Sequence, residues 1–421
     1  MRTEVKRRLP ERDRVPFNRY FEGSPVYPGR FARDWNRSFV LEPDGPPAGA
    51  VVLLHGLTDS PYSLRHIAEL YRARGFVAVA IRLPAHGAVP GALTEVEWED
   101  WLAATRLAVR EARRRAGAGK PLQIVGYSNG AALALKYALD ALDDGKLERT
   151  DRLVLISPMI GITRFARFVG LAALPAYFPA FAKAAWLELL PEFNPFKYNS
   201  FPVNAARQSH RLTDALQRRI AANARDGKLA ALPPVLTFQS VVDFTVSAPA
   251  VASAFYALLP PNGSELALFD LNRATALGVI MRQSAETQLS RLLPPAPRNY
   301  RTTIVTNGDA GSRQVVERVV EAGSATETDH PLGLSFPPDV YSLSHIALPF
   351  PVGDGLYGLS PDPAEDFGVR LGAVTPRGER GVLIVSLDSL ARLSSNPFFP
   401  YLARRIEEGI PAASLHSQSL N

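Results

Sequence analysis

Cysteine is absent from all 421 residues. Disulfide staples, thiolate catalysis and Cys-ligated zinc are therefore excluded, while the redox compartment stays open. Long apolar runs are also missing. The longest nearly charge-free stretch is FVGLAALPAYFPAFA, from Phe168 to Ala182. It is shorter than the roughly 20 residues a spanning helix needs, and two prolines interrupt it. No transmembrane segment is expected. The start, MRTEVKRRLPERDR, has no apolar stretch behind its basic residues, so no signal peptide is read there. The cytoplasm is the default expectation, with a removed membrane anchor as the alternative. The 36 prolines and 30 glycines are spread along the chain, and no internal repeat or low-complexity tract is found.

The composition is 46% hydrophobic and 21% charged, an ordinary globular balance that admits one large domain with insertions. Net charge is +6, carried mostly by arginine. It concentrates in a basic N-terminal arm over 1–37 and in EARRRAGAGK at 111–120. A nucleic-acid partner would want such charge interleaved with exposed aromatics or carried on a binding module, and neither is visible. Solvated faces and a basic arm are expected instead, the arm having at most a weak peripheral attraction to anionic membrane surfaces.

Between about 38 and 160, short apolar strands alternate with helices. Strands are read in SFVLEP, GAVVLLHG, FVAVAIRL, PLQIVG and RLVLISP. Helices are read in SPYSLRHIAELYRARG, WEDWLAATRLAVREARRRAG and AALALKYALDAL. Wholly apolar strands separated by helices predict an α/β fold with a mostly parallel sheet covered on both faces. Ligands of such sheets gather beyond the carboxyl ends of the strands. The segment 162–232 breaks this rhythm: it is helical and rich in Phe, Leu and Ala, with irregular FNPFKYNSFPVNAARQS within it. PPVLTFQS and SELALFDL restore strands. A second irregular insertion is expected over about 273–336, with one strand read in YRTTIVTN. DVYSLSH reads as a last strand ending at His345, and an extension from about 355 closes with a helix in PYLARRIEEGI.

The chemistry centres on GYSNG, where a strand turns into a helix. A serine hydroxyl is a poor nucleophile unless a base takes its proton and donors hold the oxyanion. A strand–GxSxG–helix turn lifts the serine above the sheet at a helix N-terminus. Its bland alternative is a tight turn with a capping serine. Ser128 is taken as the nucleophile. The backbone N–H of Asn129 and that of Leu57, in the loop after LLHG, are the expected oxyanion donors. His55 is read as a brace for that loop. The acid should follow the nucleophile beyond a later strand, which selects Asp243 over its rival Asp270. The base should come last, and His345 is preferred to His330.

Together these residues resemble the α/β-hydrolase superfamily, and within it the monoglyceride lipase, lysophospholipase-like and carboxylesterase branch, often grouped with the serine aminopeptidases. LLHGLTDSPYSLRHIAELYRARGFVAVAIRLPAHG is similar to that branch's HG loop and first helix, and GYSNG to its nucleophile elbow. The resemblance implies one α/β-hydrolase domain over 38–421, with a helical cap at about 162–232 whose aromatics form an apolar acyl pocket. The implied activity is a serine hydrolase working without metal or cofactor on small-molecule or lipid-like acyl esters. An amidase or aminopeptidase on the same residues, and a non-catalytic lipid-binding module, are the alternatives. Glu188 and Glu192 are the candidate anchors for a substrate amine and read as solvated.

Overall fold

The computed structural model describes residues 9–161, 185–275, 287–309, 311–373, 390 and 392–411. Its frame is one ten-stranded sheet. The first strands are β1 (Phe39–Leu41), β2 (Gly49–Leu54), β3 (Phe76–Ile81), β4 (Leu122–Tyr127) and β5 (Arg152–Ile156). Further along come β6 (Trp186–Glu188) and β7 (Phe201–Pro202), which pair in a small separate sheet. The main sheet continues with β8 (Val235–Ser240), β9 (Glu265–Phe269), β10 (Arg301–Asn307), β11 (Gln314–Val320) and β12 (Glu327–Ser335). Its order is β1-β3-β2-β4-β5-β8-β9-β10-β11-β12. Every pair from β3 to β10 is parallel, while β1, β11 and β12 are antiparallel to their neighbours. The mostly parallel sheet read from the sequence is present.

Both faces of the sheet are covered, which is why its central strands are apolar throughout. Along β2, Ala50, Val52 and Leu54 enter one core while Val51 and Leu53 enter the other. The first core is filled by α2 (Trp98–Ala116), α3 (Asn129–Asp140) and α4 (Val203–Arg225). The second receives α1 (Arg65–Ala73) and, from the far end of the chain, α6 (Phe399–Glu407). A further short helix, α5 (Ala248–Ala254), follows the loop after β8 and packs in the first core. The C-terminal extension thus closes a face of the sheet: Arg152 donates to the carbonyls of Ile406 and Arg405, and Gln123 to that of Gly409.

Four expectations need correction. The 273–336 segment, where described, holds three strands: β10 joins the parallel series, and β11 and β12 extend the sheet to its edge. Alternation in QVVERVV is weak because three of its residues are only half-buried, so no clear period appears. DVYSLSH is not a strand, and His345 lies in an irregular segment. The basic arm is not wholly solvated either. Arg19 is buried, donating to the carbonyls of Asn194 and Lys197 and to Asn36 Oδ1. The expected helical segment 162–232 is described only from 185. It contains β6, β7 and α4, which begins at Val203 inside the stretch read as irregular.

Candidate active site

Ser128 stands between β4 and α3 with φ 55° and ψ −114°. Few non-glycine residues adopt such a conformation, which costs on the order of 1–3 kcal/mol and persists only where the surroundings enforce it. Here its N–H donates to the Ile156 carbonyl, and its own carbonyl accepts from Ala131, Ala132 and Met159. Neither flanking glycine has a positive φ; what they permit is close packing. A Cβ on Gly130 would lie 2.0 Å from the Leu54 carbonyl oxygen, and one on Gly126 2.5 Å from Ala131 Cα. Helix α3 can press against β2 and β4 only because both side chains are absent.

His345 and Asp243 meet. Asp243 Oδ2 accepts from His345 Nδ1 at 2.9 Å and from Gln239 Nε2 at 3.1 Å. Its Oδ1 accepts the N–H groups of Thr245 and Val246. Burial alone would raise this carboxyl. The imidazole beside it and the backbone donors outweigh that, holding the Asp243 pKa below its ordinary value. With Nδ1 committed to the carboxylate, Nε2 is the nitrogen left for the cavity that His345 and Ser128 both line.

The route by which His345 arrives explains why no strand was needed at its position. Two antiparallel reversals leave β12 running in the same direction as β10, so it ends on the same edge of the sheet as β8. From β12 back to β8 is four strand spacings, roughly 19 Å. The residues from Phe336 to His345 can span on the order of 30 Å. Asn272, just beyond β9, holds this return segment midway: its N–H donates to the Tyr341 carbonyl and its Nδ2 to that of Val340, both at 2.9 Å. The rival residues lie elsewhere. His330 is exposed on β12 opposite Glu317, and Asp270 accepts from Thr306 and Arg273.

The loop after β2 closes the other side. His55 is fully buried, its Nδ1 against the Gly56 carbonyl at 2.8 Å and its Nε2 accepting from the Leu83 N–H at 3.0 Å. Burial first, then the neighbouring His86, keep its pKa well below the usual 6.5. It braces the loop as a neutral ring. Among the described residues, neither the Leu57 N–H nor the Asn129 N–H has a hydrogen-bond acceptor. Leu57, Ser128 and His345 all line one cavity of about 450 Å³. Asn129 does not line it, but its N–H opens α3 directly after Ser128.

A model of the family described as serine aminopeptidase, S33, matches residues 45–270, more than half of the chain. The chain belongs to this family. Accordingly, its sheet and elbow are those of an α/β hydrolase. It is 30% identical over 92 residues to the thermostable monoacylglycerol lipase of Bacillus sp. (strain H-257), a match covering 22% of this chain and 35% of that protein. The chain thus matches about a third of that relative's length. Among solved structures, it is similar to one reported for LipS and LipT, two metagenome-derived lipolytic enzymes. There the identity is 20%, the TM-score 0.45, and the coverage 56% of this chain and 88% of the other. A soluble variant of monoglyceride lipase from Saccharomyces cerevisiae gives 16% identity and a TM-score of 0.42 over 55% and 81% of the two chains.

In this S33-family chain the sequence reading missed several groups around the site. Gln239 and Asn272 steady the acid and the return segment, yet each is an isolated amide in its stretch of sequence. Lys197 and Arg392 line the cavity from segments distant in the chain. Glu192 was read as solvated but is buried, its carboxylate accepting the N–H groups of Asn199 and Ser200. Glu188 is exposed at the cavity wall. Among the described residues, no helix is long and apolar enough to cross a membrane.

Proposed function

We propose that the chain is a serine hydrolase of carboxylic esters, acting on acyl esters of small or lipid-like alcohols. The observation that carries this reading is Asp243 bonded to His345, which shares a cavity with a strained, elbow-borne Ser128. Ser128 Oγ attacks the ester carbonyl carbon while His345 Nε2 takes its proton. Asp243 holds the Nδ1–H and stabilises the imidazolium. The N–H groups of Leu57 and Asn129 receive the oxyanion; a single such donor is worth about 10²–10³ in kcat. Collapse of the intermediate expels the alcohol, which takes the proton from Nε2. Water, activated by the same nitrogen, then releases the acid and restores Ser128. The apolar wall, with Met159, Phe201 and Val246, suits a hydrocarbon acyl or alkyl group.

Amide or aminopeptide cleavage on the same groups would need an anchor for a substrate amine. Glu192 is saturated by backbone donors, which leaves Glu188, and two cations share the cavity with it. That charge balance favours the ester reading. The two separate in turnover of a p-nitrophenyl ester series against aminoacyl p-nitroanilides. Ester turnover with a chain-length optimum is expected; faster anilide cleavage would overturn the proposal.

A further inference from the structure

We propose that the cavity selects an ester bearing a negative charge, a carboxylate or a phosphate, with Lys197 and Arg392 as its binding residues. The inference rests on the ester-hydrolase reading and names its substrate class. Both cations line the cavity shared by Ser128 and His345, and each is built into a loop that carries a candidate catalytic group. Lys197 Nζ donates to Thr58 Oγ1 at 3.2 Å, one residue beyond Leu57. The same loop is fixed by the Tyr198 N–H, which donates to the Thr58 carbonyl at 2.7 Å. Arg392 donates to Thr245 Oγ1 at 2.6 Å, two residues beyond Asp243. Its own carbonyl accepts from Ser344 Oγ at 2.7 Å, next to His345.

Hydroxyls, not carboxylates, hold these two charges. Among the described residues neither Lys197 nor Arg392 has an ion-pair partner, whereas Arg74, Arg113, Arg219 and Arg318 each do. Burial lowers the Lys197 pKa; Asp59, next to Thr58 in the same loop, attracts the ammonium, and the charge of Arg392 opposes it. Asp59 itself is buried, its Oδ1 engaged by the Ser60 N–H. Glu188 opposes the two cations from the exposed rim, where solvent and salt screen it. Drawing the Lys197 cation out of water with no ion-pair partner is costly, and an anionic substrate offsets that cost on binding, with Arg392 reaching it from a more exposed contact. Leu57, Met159, Phe201 and Ile346 leave an apolar wall for the rest of the molecule. The ligand this describes is an amphiphilic ester with a single anionic group.

The test compares matched pairs by kcat/KM: mono-p-nitrophenyl glutarate against p-nitrophenyl valerate, and 1-acylglycerol 3-phosphate against the monoacylglycerol of the same chain. In the wild-type protein the anionic member of at least one pair is expected to be preferred, and added NaCl should erode that preference. Lys197→Met and Arg392→Gln should each lower the anionic-to-neutral ratio about 10- to 100-fold, as expected for a charge-assisted contact. A response confined to the glutarate pair identifies a carboxylate, and one confined to the lysolipid pair a phosphate. A ratio that ignores salt in the wild type, or equal losses on both members in the variants, would overturn the inference while leaving ester hydrolysis standing. If no ester at all is turned over, the underlying reading fails and the inference with it.

Discussion

Asp243 shows how a buried carboxylate can be made useful at low cost. Four donors, from His345, Gln239, Thr245 and Val246, satisfy its two oxygens, so the charge persists although the side chain is fully covered. In the proposed mechanism it fixes the imidazole with the proton on Nδ1 and the lone pair on Nε2. Asp243→Asn keeps the size and shape but favours the wrong tautomer. The expected result is a fall in kcat on the order of 10⁴ with much less change in KM, measured on a chromogenic ester. A comparable loss carried by KM alone would assign Asp243 to binding. Serine and carboxylate were both visible in the sequence, because the elbow motif and the strand before VVDF leave local signatures. Gln239, Lys197 and Arg392 were not. A single polar side chain carries no period, and its partner lies far away in the chain.

At the scale of elements, the site depends on two segments that are not regular secondary structure. The first is the return from β12 to His345, tethered by Asn272. Asn272→Ala removes the side-chain contact to Val340 and leaves the chemical groups untouched. A roughly tenfold fall in kcat, with little change in KM and a parallel slowing of fluorophosphonate labelling, is expected from a misplaced base. A loss confined to thermal stability would mark the tether as merely structural. The second segment is the Leu57 loop, backed by His55, His86 and Tyr198. Burial, with Lys197 acting in the same direction, lowers the pKa of His86 from 6.5 to about 4, against its hydrogen bond to the Pro84 carbonyl. Between those values the unfolded chain binds more protons, so stability rises with pH across that window. It is complete above 6.5 and is lost as pH falls towards 4. The gap corresponds to on the order of 3 kcal/mol. Urea denaturation at pH 7 and pH 4.5 should show wild type losing more stability than His86→Phe; equal losses would contradict it.

For the whole molecule, the described parts of the N-terminal arm and of the C-terminal extension fasten to the hydrolase frame. Tyr62, Phe196, Phe350, Tyr357 and Phe367 form one cluster between the first helical turn after β2, the segment before α4 and the C-terminal extension. At its centre Asp354, fully buried, accepts from the Tyr62 hydroxyl at 2.9 Å and pairs with Arg65 and His66. Asp354→Asn leaves the buried Arg65 with Glu365 alone and should cost about 3 kcal/mol, read as a lowered urea midpoint. An unchanged midpoint would show that the extension is not anchored there. The central parallel strands and their helices could be read from sequence because burial on both faces writes unbroken apolar runs. The edge strands β11 and β12, half-exposed, wrote no such pattern, and the docking of Phe350, Asp354, Phe367 and helix α6 depends on contacts across most of the chain.

The central claim, that GYSNG presents an activated nucleophile, is tested most directly by treating folded protein with a fluorophosphonate and locating the adduct by peptide mass mapping. One phosphonyl group on Ser128 in the wild type, none on Ser128→Ala, and loss of ester hydrolysis in proportion to labelling is the predicted result. An unmodified Ser128 in protein that still cleaves esters, or equal labelling of the two proteins, would contradict it.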